Sequence, residues 1–446
     1  MARAAVILGA GMGTRMKSVR PKVMHPVAGF PMLRHVILAA RAAGCERVVV
    51  VTAPDFDEVR AYAGSLDAES VVQDRQLGTG HAALCAKDAL AGFDGAILIN
   101  NGDMPLADAA MMRESLESAE ATGFSIVAFR PDDAAAYGRV ILGGDGLLDR
   151  IVEFKDATAE ERAVDLCCAG TYSAASAEKF FAWAARLRNE NAQGEYYLPE
   201  VPAVAKADGV PCAVTVADAV TVMGVNSRAE LAEAEAQMQK RLRARAMAVG
   251  VGMTAPETVY LAADTVLEPD VLIGPYVVFA PGVTVRGGAE IKSHSVLEGA
   301  EVKAGAVVGP HARLRPGTVI GEGAHIGNFV EVKNSSIGAG AKANHLAYLG
   351  DATVGAKANI GAGTITCNYD GFDKHATWIG EGAFIGSNSS LVAPVKFADG
   401  VYVGAGSVIT KPVPADSLAV TRAEQREVPG WASKFRARKK AEKDRK

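Results

Sequence analysis

The 446-residue chain lacks paired cysteines, an imbalance of charge and any apolar run long enough to cross a bilayer. Its six cysteines (Cys45, Cys85, Cys167, Cys168, Cys212 and Cys367) show no C-x-x-C spacing and no histidine at zinc-ligand distance. Neither a zinc site nor a disulfide framework is implied, and reduced, mostly buried thiols are expected. A formal net charge of −4 gives no whole-molecule field to attract nucleic acid or a membrane surface, so any anionic ligand must be held locally. The opening "MARAAVILGAG" turns glycine-rich after a few apolar residues, too soon for a signal peptide, and a cytoplasmic protein is expected. What is present is an ordinary globular composition, 49% hydrophobic and 22% charged, on a chain long enough for two cores.

The first half alternates strand and helix patterns. Short apolar runs at 4–8, 47–53, 96–100 and 125–129 predict buried strands, and amphipathic stretches at 31–44, 55–64, 79–91 and 107–121 predict helices between them. This βαβ order predicts a mostly parallel, doubly wound α/β sheet, whose ligands sit beyond the carboxyl ends of the strands. The loops 9–16 and 101–105 would meet there.

The loop "LGAGMGTRM" (8–16) carries Gly9, Gly11 and Gly13, whose bare backbone can approach phosphate oxygens. It is neither a Walker loop nor the dinucleotide fingerprint. Taken alone it reads equally well as a glycine-rich strand-to-helix turn. Arg15 and Lys22 add two cations, and Asp103 of "NGDMP" (101–105) follows a strand, where it could hold Mg²⁺ against phosphates or simply cap a turn. What shifts the balance is the combination, in one βαβ domain, of the glycine loop, both cations, "QLGTGHA" (76–82) and Asp103.

The second half repeats every six residues. Leu267, Ile273, Phe279, Val285, Ile291 and Leu297 form one run; Val302, Val308, Leu314, Ile320, Ile326 and Val332 a second; Ile379, Ile385, Leu391, Phe397, Val403 and Ile409 a third. Such hexads predict a parallel β-helix with three short strands per coil, each sending one apolar side chain inward. Between Ile337 and Val354 the rhythm weakens, and "GAGTITCNYDGFDKHATW" (361–378) reads as an added loop outside the period. His345 and Tyr348 therefore fall where the coil is expected to yield, near Asn368 and Tyr369 of that loop. A neutral imidazole is a suitable base for an amine that must lose a proton.

Residues 1–226 resemble the sugar-1-phosphate nucleotidylyltransferases through G-x-G-T-R-M, Pro21-Lys22, "QLGTGHA", "GD", "YGR" (137–139), "IVEFKDAT" (151–158), "NAQGEYYLPE" (191–200) and "GVNSR" (224–228). With the hexads, nearly the whole chain resembles the bacterial family of bifunctional N-acetylglucosamine-1-phosphate uridylyltransferase / glucosamine-1-phosphate N-acetyltransferases. The resemblance implies a left-handed β-helix that trimerises, with acetyl-CoA and UTP as co-substrates and Mg²⁺ as cofactor. It implies acetylation of glucosamine-1-phosphate, then uridylyl transfer to the product, giving UDP-N-acetylglucosamine for peptidoglycan and outer-membrane lipid synthesis.

Carried over residue by residue, Leu8, Gly11, Arg15, Lys22, Gln73, Gly78, Thr79 and Asn101 would bind UTP or the sugar nucleotide, with Arg15 and Lys22 catalytic. Gly138, Glu153 with Lys155, and Cys168 would line the sugar side, and Asp103 with Asn226 would hold Mg²⁺. His345 would be the acetyl-transfer base. Arg315 and Lys333 would clamp the sugar phosphate, Tyr348, Asn359, Asn368 and Tyr369 would orient the sugar, and Ala362, Ser387, Ala405 and Arg422 would line the acetyl-CoA groove. The sequence departs from the family pattern at Met12 (usually lysine), Asn101 (usually tyrosine), Cys168 (usually asparagine) and Asn344 (usually glycine).

The expected domains are a nucleotidylyltransferase domain at 1–226, a solvated linker helix at 227–250, a β-helix at 251–433 and a disordered basic tail at 434–446. Two rivals are a single-activity nucleotidylyltransferase with a structural β-helix, and a non-enzymatic exchange-factor subunit of similar layout. His345 with the Asn368-Tyr369 loop argues against the first; intact Arg15, Lys22 and Asp103 argue against the second.

Overall fold

The computed structural model describes residues 1–134, 137–191 and 193–445. Ala192 of "NAQGEYYLPE" and Lys446 of the tail lie outside the described residues. The chain forms two compact units, Met1–Arg245 with Leu261–Ala263, and Ala246–Tyr260 with Asp264–Lys446.

In the first unit, β1 (Ala2–Leu8), β2 (Arg47–Thr52), β3 (Glu69–Val72), β4 (Gly95–Asn101), β5 (Phe124–Phe129), β6 (Cys167–Ala174) and β7 (Cys212–Val216) lie in the order β7-β5-β6-β4-β1-β2-β3. The parallel sheet expected from the alternating pattern is present from β4 to β3. The strand β6 was not expected. It runs antiparallel to both β4 and β5, so the sheet is mixed. The expected helix at 79–91 is shorter, Thr79–Leu84, followed by a separate 3-10 turn at Asp88–Leu90. Beyond the parallel strands, Gly9 N–H donates to Val51 O at 2.8 Å and Gly102 N–H to Leu8 O at 2.9 Å. These bonds bring the glycine loop and the Asp103 loop together at the carboxyl ends of the central strands.

The helix Arg228–Ala248 is not a free spacer. Ala234, Met238 and Gln239 are buried, and Gln239 exchanges two hydrogen bonds with the Leu261 backbone, at 2.7 and 2.8 Å. Glu235 accepts from Ala28 N–H at 2.7 Å. The helix packs on the first unit because its small and apolar residues supply a stripe for Val27, Met32 and Leu106.

The second unit is a β-helix whose strands stack into parallel sheets of ten, nine and eight strands. Its inward residues include those of the three hexad runs. The rhythm does not lapse around His345. Ala343 and Leu349 occupy the inward positions, buried between Ile337 and Val354. Thr366 likewise continues the period, buried in Ile365–Cys367, so the true insertion is confined to 368–376. A small and a polar residue fill inward slots there and hide the pattern from an apolar search.

Coils this close leave no room for a side chain at some positions. A Cβ on Gly327 would lie 1.9 Å from Asn344 O of the next coil. Gly327→Ala is therefore expected to destabilise the β-helix by roughly 1–3 kcal/mol, since backbone cannot move aside as a side chain can. A denaturant midpoint unchanged from wild type would contradict this packing.

The tail expected to be disordered is helical over Trp431–Lys443. None of its residues is buried. Local terms account for it: good helix formers, Trp431 stacked on Phe435 at 5.1 Å, and a Lys439–Glu442 ion pair at 2.7 Å.

Candidate functional sites

The first unit carries two adjoining clefts that share Thr79, Asn101, Asp103 and Glu195. One, of about 340 Å³, is lined by Leu8, Gly11, Lys22, Gln73, Gly78 and the shared residues. The other, of about 350 Å³, is lined by Tyr137, Gly138, Glu153, Cys168, Tyr172 and Asn226 beside them. Sequence reading of the nucleotide and sugar sides thus names residues that the fold brings together. Arg15 is different, exposed on the turn Thr14–Met16 and lining neither cleft. Lys155 is also exposed and outside them.

The glycine loop is shaped around Lys22. Gly13 has φ +59°, and a Cβ there would sit 2.8 Å from Lys22 Cβ, so glycine lets the lysine stem lie against the loop. The Lys22 ammonium donates to Asp103 Oδ2 and, at 3.0 Å, to Asn226 Oδ1. Both expected metal ligands therefore point their oxygens at one cation. Among the described residues no group of three or more His, Cys, Asp or Glu could hold a metal ion.

Gln73 is buried, its Nε2 donating to Gly78 O at 3.2 Å and lying 3.0 Å from His81 Nδ1. Gln76, whose role the sequence did not single out, donates to Ala10 O at 2.7 Å and ties the glycine loop to the neighbouring segment. Burial raises the Glu153 carboxyl above its ordinary range, with Asp156 adding to the effect. Burial pushes the Cys168 thiol up to about 11, and its Sγ lies 3.2 Å from Tyr172 Oη. Cys168 is a neutral thiol at physiological pH, not a nucleophile.

In the second unit, register alone builds the site. Asn328 pairs with His345 on the adjacent coil, each two residues past an inward residue, Ile326 and Ala343. The same register continues through Ile360, Ile385 and Val403. Ala362, Ser387 and Ala405, again two residues on, therefore fall in one column with His345, at roughly 4.8 Å per coil. Arg422 donates to Ala405 O at 2.7 Å and joins the end of that column. His345 is exposed, and its Nδ1 lies 2.8 Å from Asn328 Oδ1. An amide oxygen can only accept, so in the neutral ring this contact places the proton on Nδ1 and leaves the lone pair on Nε2.

A second column holds the charges. Lys333 pairs with Gly350, and Arg315 precedes it by one coil, donating to Glu331 Oε1 at 2.9 Å. The Lys374 ammonium lowers the Lys333 pKa, with Arg315 adding to the effect, which marks three cations converging. Lys374 was missed by the sequence reading; its signal was its place in the same insertion as Tyr369, with which it forms a bridge. A Cβ on Gly350 would meet Tyr348 Oη at 2.4 Å and Asn368 Nδ2 at 2.7 Å, so these two polar groups converge over a bare backbone. Asp351 holds Asn368 at 2.5 Å and Asn334 at 2.6 Å. Tyr369 is exposed, its hydroxyl donating to Gly371 O at 2.6 Å, and Asn359 lies in the strand Asn359–Ile360.

Residues 5–192 match the MobA-like NTP transferase domain, and residues 299–334 the bacterial transferase hexapeptide (six repeats). The chain is 51% identical to the bifunctional protein GlmU of Paramagnetospirillum magneticum, over 99% of this chain and 98% of that one. It is 54% identical to that of Rhizorhabdus wittichii, over 99% and 98%, and 54% identical to that of Acidiphilium cryptum, over 98% and 99%. The chain belongs to the GlmU family.

As a GlmU-family protein it is a bifunctional enzyme, with uridylyl transfer fitting the nucleotidyltransferase unit and acetyl transfer the hexapeptide unit. Both clefts are lined by described residues of the first unit.

Proposed function

We propose that the two units perform consecutive steps toward UDP-N-acetylglucosamine, with the residues in the following roles. In the β-helix, Arg315, Lys333 and Lys374 hold the phosphate of glucosamine-1-phosphate, while Tyr348, Asn359, Asn368 and Tyr369 orient the sugar. Its amine attacks the thioester carbonyl of acetyl-CoA, which lies along Ala362, Ser387, Ala405 and Arg422. His345 Nε2 takes the amine proton and returns it to the departing sulfur as the C–S bond breaks, so the coenzyme leaves as the thiol. The observation that carries this reading is the column that puts an exposed imidazole one coil from Ala362.

In the first unit, the backbone at Leu8 and Gly11, with Arg15 from the loop rim and Lys22, holds the triphosphate. Gln73, with its amide nitrogen already engaged, presents Oε1 to the uracil N3–H beside Gly78 and Thr79. Asn101, Gly138, Glu153 and Cys168 surround the sugar. A phosphate oxygen of N-acetylglucosamine-1-phosphate attacks the α-phosphorus of UTP and pyrophosphate leaves. Such a step needs alignment and charge neutralisation more than an acid or base. Asp103 and Asn226 fit Mg²⁺, since both are hard oxygen donors that already converge on a cation, the Lys22 ammonium. Bound there, Mg²⁺ would offset phosphate charge.

A cytoplasmic homotrimer formed through the β-helix completes the proposal. No described helix is long and apolar enough to cross a membrane. Tyr276, His294, His311 and Phe329 form an exposed ladder of stacked rings at 4.9, 4.8 and 5.0 Å, a surface suited to association.

A split assay tests the function. With Mg²⁺ present, one arm supplies glucosamine-1-phosphate and acetyl-CoA and follows free thiol; the other supplies N-acetylglucosamine-1-phosphate and UTP and follows pyrophosphate. Both arms are expected to run. A silent thiol arm would make the β-helix a scaffold, and a silent pyrophosphate arm would mean that the first unit takes other substrates.

A further inference from the structure

Asn101 ends β4 and faces β6 across an antiparallel pair in which Tyr172 lies opposite Ile99. Gly170 has φ +81°, and a Cβ on it would fall 2.5 Å from Asn101 Nδ2. The Asn101 amide therefore lies directly over a backbone that only glycine leaves open. Two residues before Gly170, Cys168 lines the same cleft with its thiol turned to Tyr172 Oη. Other carboxamides lining the same cleft are engaged: Asn226 by Lys22 and Gln193 by Tyr197. Among the described residues of that cleft, Asn101 is the carboxamide whose side chain has no intramolecular partner.

An N-acetylated sugar presents one N–H and one carbonyl oxygen where an unsubstituted hexose has a hydroxyl. A carboxamide offers the complementary acceptor and donor; a thiol does not. We propose that Asn101 is the specificity-determining residue for the acetamido group of the sugar 1-phosphate, with Gly170 providing the space its amide needs. The proposal rests on the uridylyl-transfer reading above. A site that presents a matched amide favours the substrate that uses it over the analogue that lacks it.

The test compares kcat/KM for N-acetylglucosamine-1-phosphate with that for glucose-1-phosphate, with UTP and Mg²⁺, in wild type, Asn101→Ala and Gly170→Ala. The ratio is expected to fall at least tenfold in Asn101→Ala, mainly through a higher KM for the acetylated sugar. Gly170→Ala, which pushes the amide aside, should move it the same way. If both substrates lose activity equally and the ratio holds, Asn101 is structural and the proposal is overturned. Should a variant be inactive with both, calorimetric binding of UDP-N-acetylglucosamine against UDP-glucose decides on the same tenfold criterion. Wild type that releases no pyrophosphate with either sugar would instead remove the uridylyl-transfer reading, and the same binding comparison would still judge Asn101.

Discussion

His345→Ala will lower acetyl transfer by roughly 10²–10⁴-fold, the range a positioned general base supplies, and leave pyrophosphate release from UTP unchanged. The expectation follows from geometry. His345 is exposed at the end of Lys342–His345, so the imidazole adds little to the core and its loss should not unfold the coil. Its inward neighbour Ala343 carries the packing. The Asn328 contact holds Nδ1, so on the proposed role alanine would remove the base together with the group that orients it. His345→Gln provides the control, since glutamine has polar atoms but no basic nitrogen, and it should be as inactive as alanine. Thiol release by either variant at near the wild-type rate would show that the substrate amine loses its proton without help. An equal loss in the pyrophosphate arm would show that the substitution damages the whole protein.

Much of this was legible in sequence because periodicity and glycine loops report backbone directly. The hexads located the inward residues, whereas His345 drew attention through an apparent break in the rhythm, and Arg315 and Lys333 were named only through the family resemblance. Where the sequence misled, an atypical residue filled a regular slot. Ala343 and Thr366 occupy inward positions that the eye expects to be branched and apolar, and so the coil around His345 looked broken when it was continuous. The strand β6 escaped because Cys167, Cys168 and Gly170 interrupt an apolar run, and because its antiparallel direction contradicts the βαβ rule that predicted its neighbours. Lys374 and Asn328 needed three dimensions. One reaches Lys333 from an insertion, and the other meets His345 only through the pairing of adjacent coils. The shared engagement of Asp103 and Asn226 by Lys22 spans residues more than two hundred positions apart, beyond any local pattern.

The second large effect concerns that trio. Asp103→Asn is expected to reduce pyrophosphate release by roughly 10²–10³-fold, comparable to removing one preorganised charge-stabilising group, with thiol release from acetyl-CoA unchanged. Asparagine keeps the shape and one oxygen, so Lys22 retains a partner and the largely buried pair is not replaced by a lone ammonium; side-chain exposures are only 13% and 15%. Alanine would be a poorer test, because an uncompensated cation at that depth adds a stability loss of its own. Asparagine removes the full charge that balances Lys22. The ammonium is then less firmly placed, and the two oxygens that converge on it present a weaker field to any cation. The metal side can be read without turnover: Mn²⁺ binding followed by electron paramagnetic resonance should weaken in Asp103→Asn with UTP present. Unchanged Mn²⁺ binding with lost turnover would assign Asp103 to holding Lys22 for the phosphates. Retained turnover would show that neither its charge nor that placement matters to the transfer.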